Sequence, residues 1–154
     1  MTYVLGRTSR SRLEGVHPDI VRVTERAIQL TEQDFTVFDG LRTVAQQREM
    51  VRRGASQTMN SKHLPQGDGF GHAVDLVPWI NGQPRWEWGA IWPICRAVRT
   101  AAEELGVRIR WGGHWGELNG TTVDPEELVR RYVDAKLRAG QRAFNDGPHY
   151  ELLR

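Results

Sequence analysis

His63, Asp75, Asp146 and His149 lie in three separated segments, Ser61-Lys62-His63, Gly71-His72-Ala73-Val74-Asp75 and Asp146-Gly147-Pro148-His149. A hydrolytic zinc site needs three ligands drawn from His, Asp or Glu and one position open to water. It also needs a carboxylate close by to take that water's proton. His63, Asp75 and His149 can supply such ligands, with Asp146 as the base. Taken singly, a histidine is more often a surface or capping group than a ligand, and only the set argues for a metal. Asp75 is the hardest to explain otherwise. It interrupts the apolar run Ala73-Val74-Asp75-Leu76-Val77, and a buried carboxylate requires a metal or a cation, for which Arg42 is the alternative partner. His72 is a rival ligand. Three residues before Asp75 on a strand, however, it points to the opposite face.

The elements that must position these groups follow from periodicity and punctuation. Residues 17–30 carry apolar positions at three- and four-residue steps, with Pro18 suited to a first turn, and predict a helix. Residues 35–38 predict a short strand, Asp39-Gly40 a turn, and 44–53 a helix ended by Gly54, with Arg42 and Gln46 at its mouth. The run 73–77 predicts a buried strand stopped by Pro78. Beyond it, the tryptophan-rich stretch 81–92 reads as irregular, 92–105 as a helix closed by Gly106, and 107–111 as a strand. Asp124 or Thr122 can cap a helix over 125–137, and 148–152 forms a terminal strand. Strands and helices without regular β-α-β alternation imply an α+β domain.

The order of Ser61-x-His63, Ala73-x-Asp75 and Asp146-x-x-His149 resembles the D-alanyl-D-alanine and L-alanyl-D-glutamate zinc peptidases. The similarity is broadest to phage endolysins of the L-alanyl-D-glutamate type. It is carried by Gly15-Val16-His17-Pro18, Gly40-Leu41-Arg42-Thr43, Ala73 to Pro78, Trp111-Gly112-Gly113 and Asp146 to Leu152, over nearly the whole chain. The resemblance implies a small antiparallel sheet flanked by helices, the fold shared with hedgehog domains. It further implies one Zn²⁺ held by His63, Asp75 and His149, water activation by Asp146 and oxyanion stabilisation by Arg42. Ser61, Gln46 and His114 are the expected substrate contacts, although the family usually carries Asp where His114 stands. Glu151 is either a hydrogen-bond partner that orients a ligand or a solvent-facing strand residue. His63 and Asp75 are more widely spaced than in the family's pattern, the extra residues falling in the Gly- and Pro-rich loop 65–70.

Composition limits the alternatives. The chain has 154 residues, 39% hydrophobic and 26% charged, which is enough for one catalytic domain over 1–154, with no repeat or linker to mark a separate wall-binding module. Its formal net charge of +2 is mild. The arginine clusters fall at helical spacing among acids, as on a solvated helix face, and no nucleic-acid partner is expected. Cys95 is the only cysteine, so an internal disulfide is excluded and a reducing compartment fits. Neither a signal peptide nor a membrane span is legible. The expectation is synthesis in the host cytoplasm as a monomer. Action on the peptidoglycan stem peptide then requires a holin-type permeabiliser to open the way. Among the tryptophans, Trp111 reads as core, whereas Trp86 and Trp88 are open between core and sugar stacking. Competing readings are a D,D-carboxypeptidase using the same metal site, a non-enzymatic wall-binding module, and a glycan-cleaving lysin built on Glu14 and Asp19.

Overall fold

The computed structural model describes residues 2–154. In chain order the elements are α1 (Arg7–Arg12), α2 (Pro18–Leu30), β1 (Phe35–Asp39), α3 (Val44–Arg52), β2 (Ala73–Ile80), β3 (Gln83–Pro84), α4 (Trp88–Leu105), β4 (Ile109–Trp111), β5 (Gly116–Glu117), α5 (Pro125–Arg138) and β6 (His149–Leu152). Every strand pairing is antiparallel. The sheet runs β1-β2-β6-β4-β5, with β3 folded back on β2, so the last strand of the chain is inserted at the centre. This is the expected α+β architecture.

Strand alternation divides the sheet into two chemically different faces. Val74 and Leu76 of β2, Ile109 and Trp111 of β4, and Tyr150 and Leu152 of β6 all join one buried cluster with Ile20, Val23 and Ala27 of α2 and Ile94, Val98 and Ala101 of α4. Burying each large side chain contributes roughly 1.5–3 kcal/mol, which fixes the register of the central strands. The intervening residues Asp75, His149, Glu151 and Arg110 are therefore turned to the opposite face. Pairing then sets them side by side: Asp39 is opposite Asp75, Asp75 opposite His149, and Glu151 opposite Arg110. A polar stripe thus crosses four strands.

Three local expectations are corrected, and one helix was not foreseen. β2 does not stop at Pro78 but continues to Ile80. The Trp79 N–H bonds the Asp34 carbonyl just before β1 at 2.9 Å, so the nitrogen of Pro78 points away from β1 and the β1–β2 ladder loses no bond. Asn81 and Gly82, at φ +53° and +75°, form the tight turn into β3 where an irregular stretch was expected. α4 starts at Trp88 rather than 92, because Trp88 and Trp92 stack one turn apart, with ring centroids 4.6 Å apart, against Trp111. The polar helix α1 has no apolar periodicity to announce it. It is tied down by the Ser9 hydroxyl, which accepts from the Val37 N–H at 2.9 Å.

Trp111 is fully buried, as expected, while Trp86 is exposed and packs edge-on against Phe38. Cys95 lies in the core, where burial pushes its thiol pKa up and leaves it unreactive. No helix among the described residues is long and apolar enough to cross a membrane.

Candidate active site

Three elements deliver the candidate ligands. Asp75 and His149 are cross-strand neighbours on β2 and β6, and His63 comes from the irregular segment before β2. His63 Nε2 lies 3.1 Å and His149 Nδ1 3.2 Å from the same oxygen, Asp75 Oδ1, and the three ligand atoms all lie within 4.8 Å of one another. Tetrahedral zinc with bonds of about 2.0–2.1 Å separates its ligand atoms by roughly 3.3 Å, so this spacing suits a small divalent cation.

The other nitrogen of each ring decides what these atoms are. His63 Nδ1 is 2.7 Å from the Gly40 carbonyl, which can only accept, so Nδ1 carries the proton and Nε2 is left as a lone pair. His149 Nε2 is 2.7 Å from Glu151 Oε1, so Nε2–H donates and Nδ1 turns toward Asp75. Two imidazole lone pairs and a carboxylate oxygen therefore converge on one point, an arrangement that requires a shared proton or a cation. The His149 ring is the one whose surroundings favour a second proton. Burial disfavours the charged ring, but hydrogen bonds to Asp75 and Glu151 outweigh it and raise its pKa to about 10. Burial alone would raise the carboxyl pKa of Asp75, yet the charges and hydrogen bonds of His63 and His149 hold it well below the usual range.

Two glycines permit the close approach. A side chain at Gly40 would collide with the Arg12 carbonyl, and one at Gly112 would collide with the carbonyl of Asp146 in the turn leading to β6. That turn holds Asp146 beside the ligands, with its N–H bonded to Gly112 at 2.9 Å and its carbonyl accepting from the His149 N–H at 3.1 Å. The Asp146 carboxylate has no hydrogen-bond partner among the described residues and lines a cleft of about 400 Å³. Burial, and then the charge of Asp75, push its pKa up to about 6.

Arg42 is buried in the cleft wall. Its Nε is 2.5 Å from Asp39, Nη1 is 2.8 Å from the Gln47 side-chain oxygen, and Nη2 is 3.3 Å from Asp75 Oδ2. The cation alternative and the metal alternative for Asp75 are thus both present, one on each carboxylate oxygen. Ser61 also lines the cleft, its hydroxyl accepting from the His63 N–H at 3.1 Å. Glu151 is buried on His149 and does not face solvent.

Two expected substrate contacts lie elsewhere. Gln46 is exposed outside this cleft and closes the capping box of α3, its side chain accepting from the Thr43 N–H at 2.8 Å. The neighbouring Gln47 is the one turned inward. His114 packs beside Trp111 and its Nε2 lies 3.3 Å from the Glu117 carbonyl, so it does not line the cleft. His72 is likewise directed away from the ligands, bonding Asp68 at 2.8 Å and packing edge-on against His17. Lys62, Arg110, Tyr132 and Phe144 also line the cleft, and sequence reasoning did not single them out for a site; Trp115, Asn60 and residues 55–58 line it too. Only Arg110 had a usable signal, a charge alternating with the core residues Ile109 and Trp111.

The profile of the family described as phage L-alanyl-D-glutamate peptidase matches residues 1–153. The chain belongs to this family. It is 35% identical, over 157 aligned positions, to the L-alanyl-D-glutamate peptidase of Escherichia phage T5, covering 99% of this chain and 100% of that one. Its fold matches the crystal structure of the Serratia marcescens L-Ala D-Glu endopeptidase ChiX with a TM-score of 0.68 and 39% identity. That match covers 96% of this chain and 87% of the other.

Proposed function

We propose that the chain is a zinc-dependent endolysin peptidase that hydrolyses the bond between L-alanine and D-glutamate in peptidoglycan stem peptides. The observation that carries this reading is the convergence of His63 Nε2, His149 Nδ1 and Asp75 Oδ1, with both ring tautomers fixed by Gly40 and Glu151. Two imidazoles and one carboxylate form a ligand set suited to zinc that leaves a position for water. When bound, the ion would lower the pKa of that water from 15.7 to about 7 and polarise the scissile carbonyl.

The protein's own groups do the rest. Asp146, ionised at neutral pH, takes the proton of the attacking water and can return it to the departing amine. Arg42 engages three of its five guanidinium N–H groups on Asp39, Gln47 and Asp75 and keeps two for a developing oxyanion. Ser61 orients His63 from the cleft wall, and Glu151 fixes the tautomer and ring angle of His149. In an infection the chain would act on the wall from the periplasmic side, after a holin-type partner has opened the membrane.

Zymography on purified sacculi with and without chelator, together with product masses, tests the reading. Clearing should vanish on chelation and return with zinc, and the products should end at the alanine. Undiminished clearing in chelator, or release of terminal D-alanine alone, would overturn it.

A further inference from the structure

A glutamyl residue within a peptide uses one of its two carboxyls for the onward amide bond. The other remains free, a full negative charge a few bonds from the nitrogen of the alanyl–glutamyl bond. Bringing that charge into a cleft without a counter-charge is costly, so a protein that cuts there needs a cation to receive it.

Three cationic side chains line the cleft: Arg42, Lys62 and Arg110. Arg42 is tied to Asp39, Gln47 and Asp75, and its two remaining N–H groups serve the oxyanion. Arg110 is placed differently. On β4 its guanidinium lies 5.2 Å from the centre of the Trp115 ring, and Nε donates to the Trp115 carbonyl at 3.1 Å. Its Nη1 stays 3.6 Å from Glu151, and its Nη2 makes no hydrogen bond among the described residues. Glu151 is already taken by His149 at 2.7 Å, and the Arg110 side chain is 38% exposed, so the fork of the guanidinium is held in place and still open to the cleft.

The platform beneath it is rigid. Trp115 sits at φ +54°, a backbone conformation rare for a large side chain, with its Nε1 bonded to the Phe144 carbonyl at 2.7 Å and its ring 5.3 Å from that of His149. Lys62, next to the ligand His63, has only the side-chain oxygen of Gln66 at 3.5 Å. Lys62, Arg110 and Glu151 all line the same cleft, which sets both cations around one wall.

We infer that Arg110, with Lys62 beside it, is the specificity site that receives the free carboxylate of the glutamyl residue after the scissile bond. The assignment rests on the peptidase reading above. A guanidinium presents two parallel N–H groups to a carboxylate and loses most of that interaction when the carboxylate becomes a carboxamide. The site would therefore distinguish stem peptides by whether this carboxyl is free or amidated.

Two synthetic stem peptides that differ only at this carboxyl, free in one and amidated in the other, are offered in competition to the zinc-loaded chain. The free form should be preferred on the order of 10- to 100-fold in kcat/KM, the range lost when a charged hydrogen-bond partner is removed. Arg110→Gln should bring the ratio to within about threefold, Arg110→Lys should retain part of it, and Lys62→Gln should lower it partially. Because both peptides meet the same enzyme sample, the ratio does not depend on the folded fraction. A wild-type ratio near one, or an Arg110→Gln variant with the wild-type ratio, overturns the assignment. Calorimetric binding of the same two peptides to the chain separates this outcome from failure of the peptidase reading. Discrimination in binding without any cleavage would sink the peptidase and keep the subsite, whereas cleavage without discrimination would sink the subsite alone.

Discussion

In the metal-free protein Asp146 is a liability to stability, and Asp146→Asn should show it. Burial and the nearby charge of Asp75 raise its pKa from 3.8 to about 6. A carboxyl whose folded pKa is raised favours the native state while protonated. That contribution is full below about pH 4 and is lost as the pH rises through about 6. Above pH 7 the ionised group costs up to ~3 kcal/mol, from 1.36 kcal/mol per pH unit of displacement, with water in the cleft lowering the actual figure. Asparagine keeps the shape and removes the charge. For a chain of this size the metal-free variant should melt about 5–10 °C above wild type at pH 8 and within a degree or two of it at pH 4. Added zinc should shrink or reverse the gap, because a divalent cation stabilises the ionised wild-type carboxylate. Hydrolysis by the zinc-loaded variant should fall by roughly 10²–10⁴-fold, the range of a lost general base. Thermal melts of chelator-treated protein from pH 4 to 9 provide the measurement. A pH-independent difference, or a variant less stable than wild type at pH 8, would refute the electrostatic reasoning.

Glu151→Gln keeps the shape of the group that fixes His149 but loses its charge. Zinc affinity, read by competition with a chromophoric chelator, should weaken by about 10- to 100-fold. Gly112→Ala forces a methyl group against the Asp146 carbonyl, and its melting temperature and activity should fall together, as a shift of the 146–149 turn requires. Gln46→Ala removes one half of the capping box of α3 and should cost about 0.5–1 kcal/mol in denaturant unfolding while kcat/KM stays within about twofold; a large loss of kcat/KM would return Gln46 to the substrate site.

The amphipathic helices α2, α3 and α5 and the strands β1 and β6 were legible because each carries its own period and punctuation. Asn81-Gly82 was legible in principle as a hairpin signature, although the surrounding tryptophans obscured it. α1 was not legible, since Arg7–Arg12 is polar throughout and owes its place to Ser9 and β1. The candidate ligands could be named because their residue types are rare in apolar runs. Gln46 and His114 were misplaced because neighbouring residues on a helix or in a tight turn face different directions, and local sequence does not say which is turned inward.

Residue order alone thus settles which donors are available: two histidines and an aspartate beside strands, with an acid three positions before the last of them. Tertiary structure decides where their lone pairs aim. Inserting β6 between β2 and β4 sets His149 against Asp75 and Glu151 against Arg110, and the Gly40 carbonyl fixes the proton of His63. Those partners lie up to 74 residues apart along the chain. Only burial of the opposite face of the sheet, which fixes the register of every strand at once, brings them together.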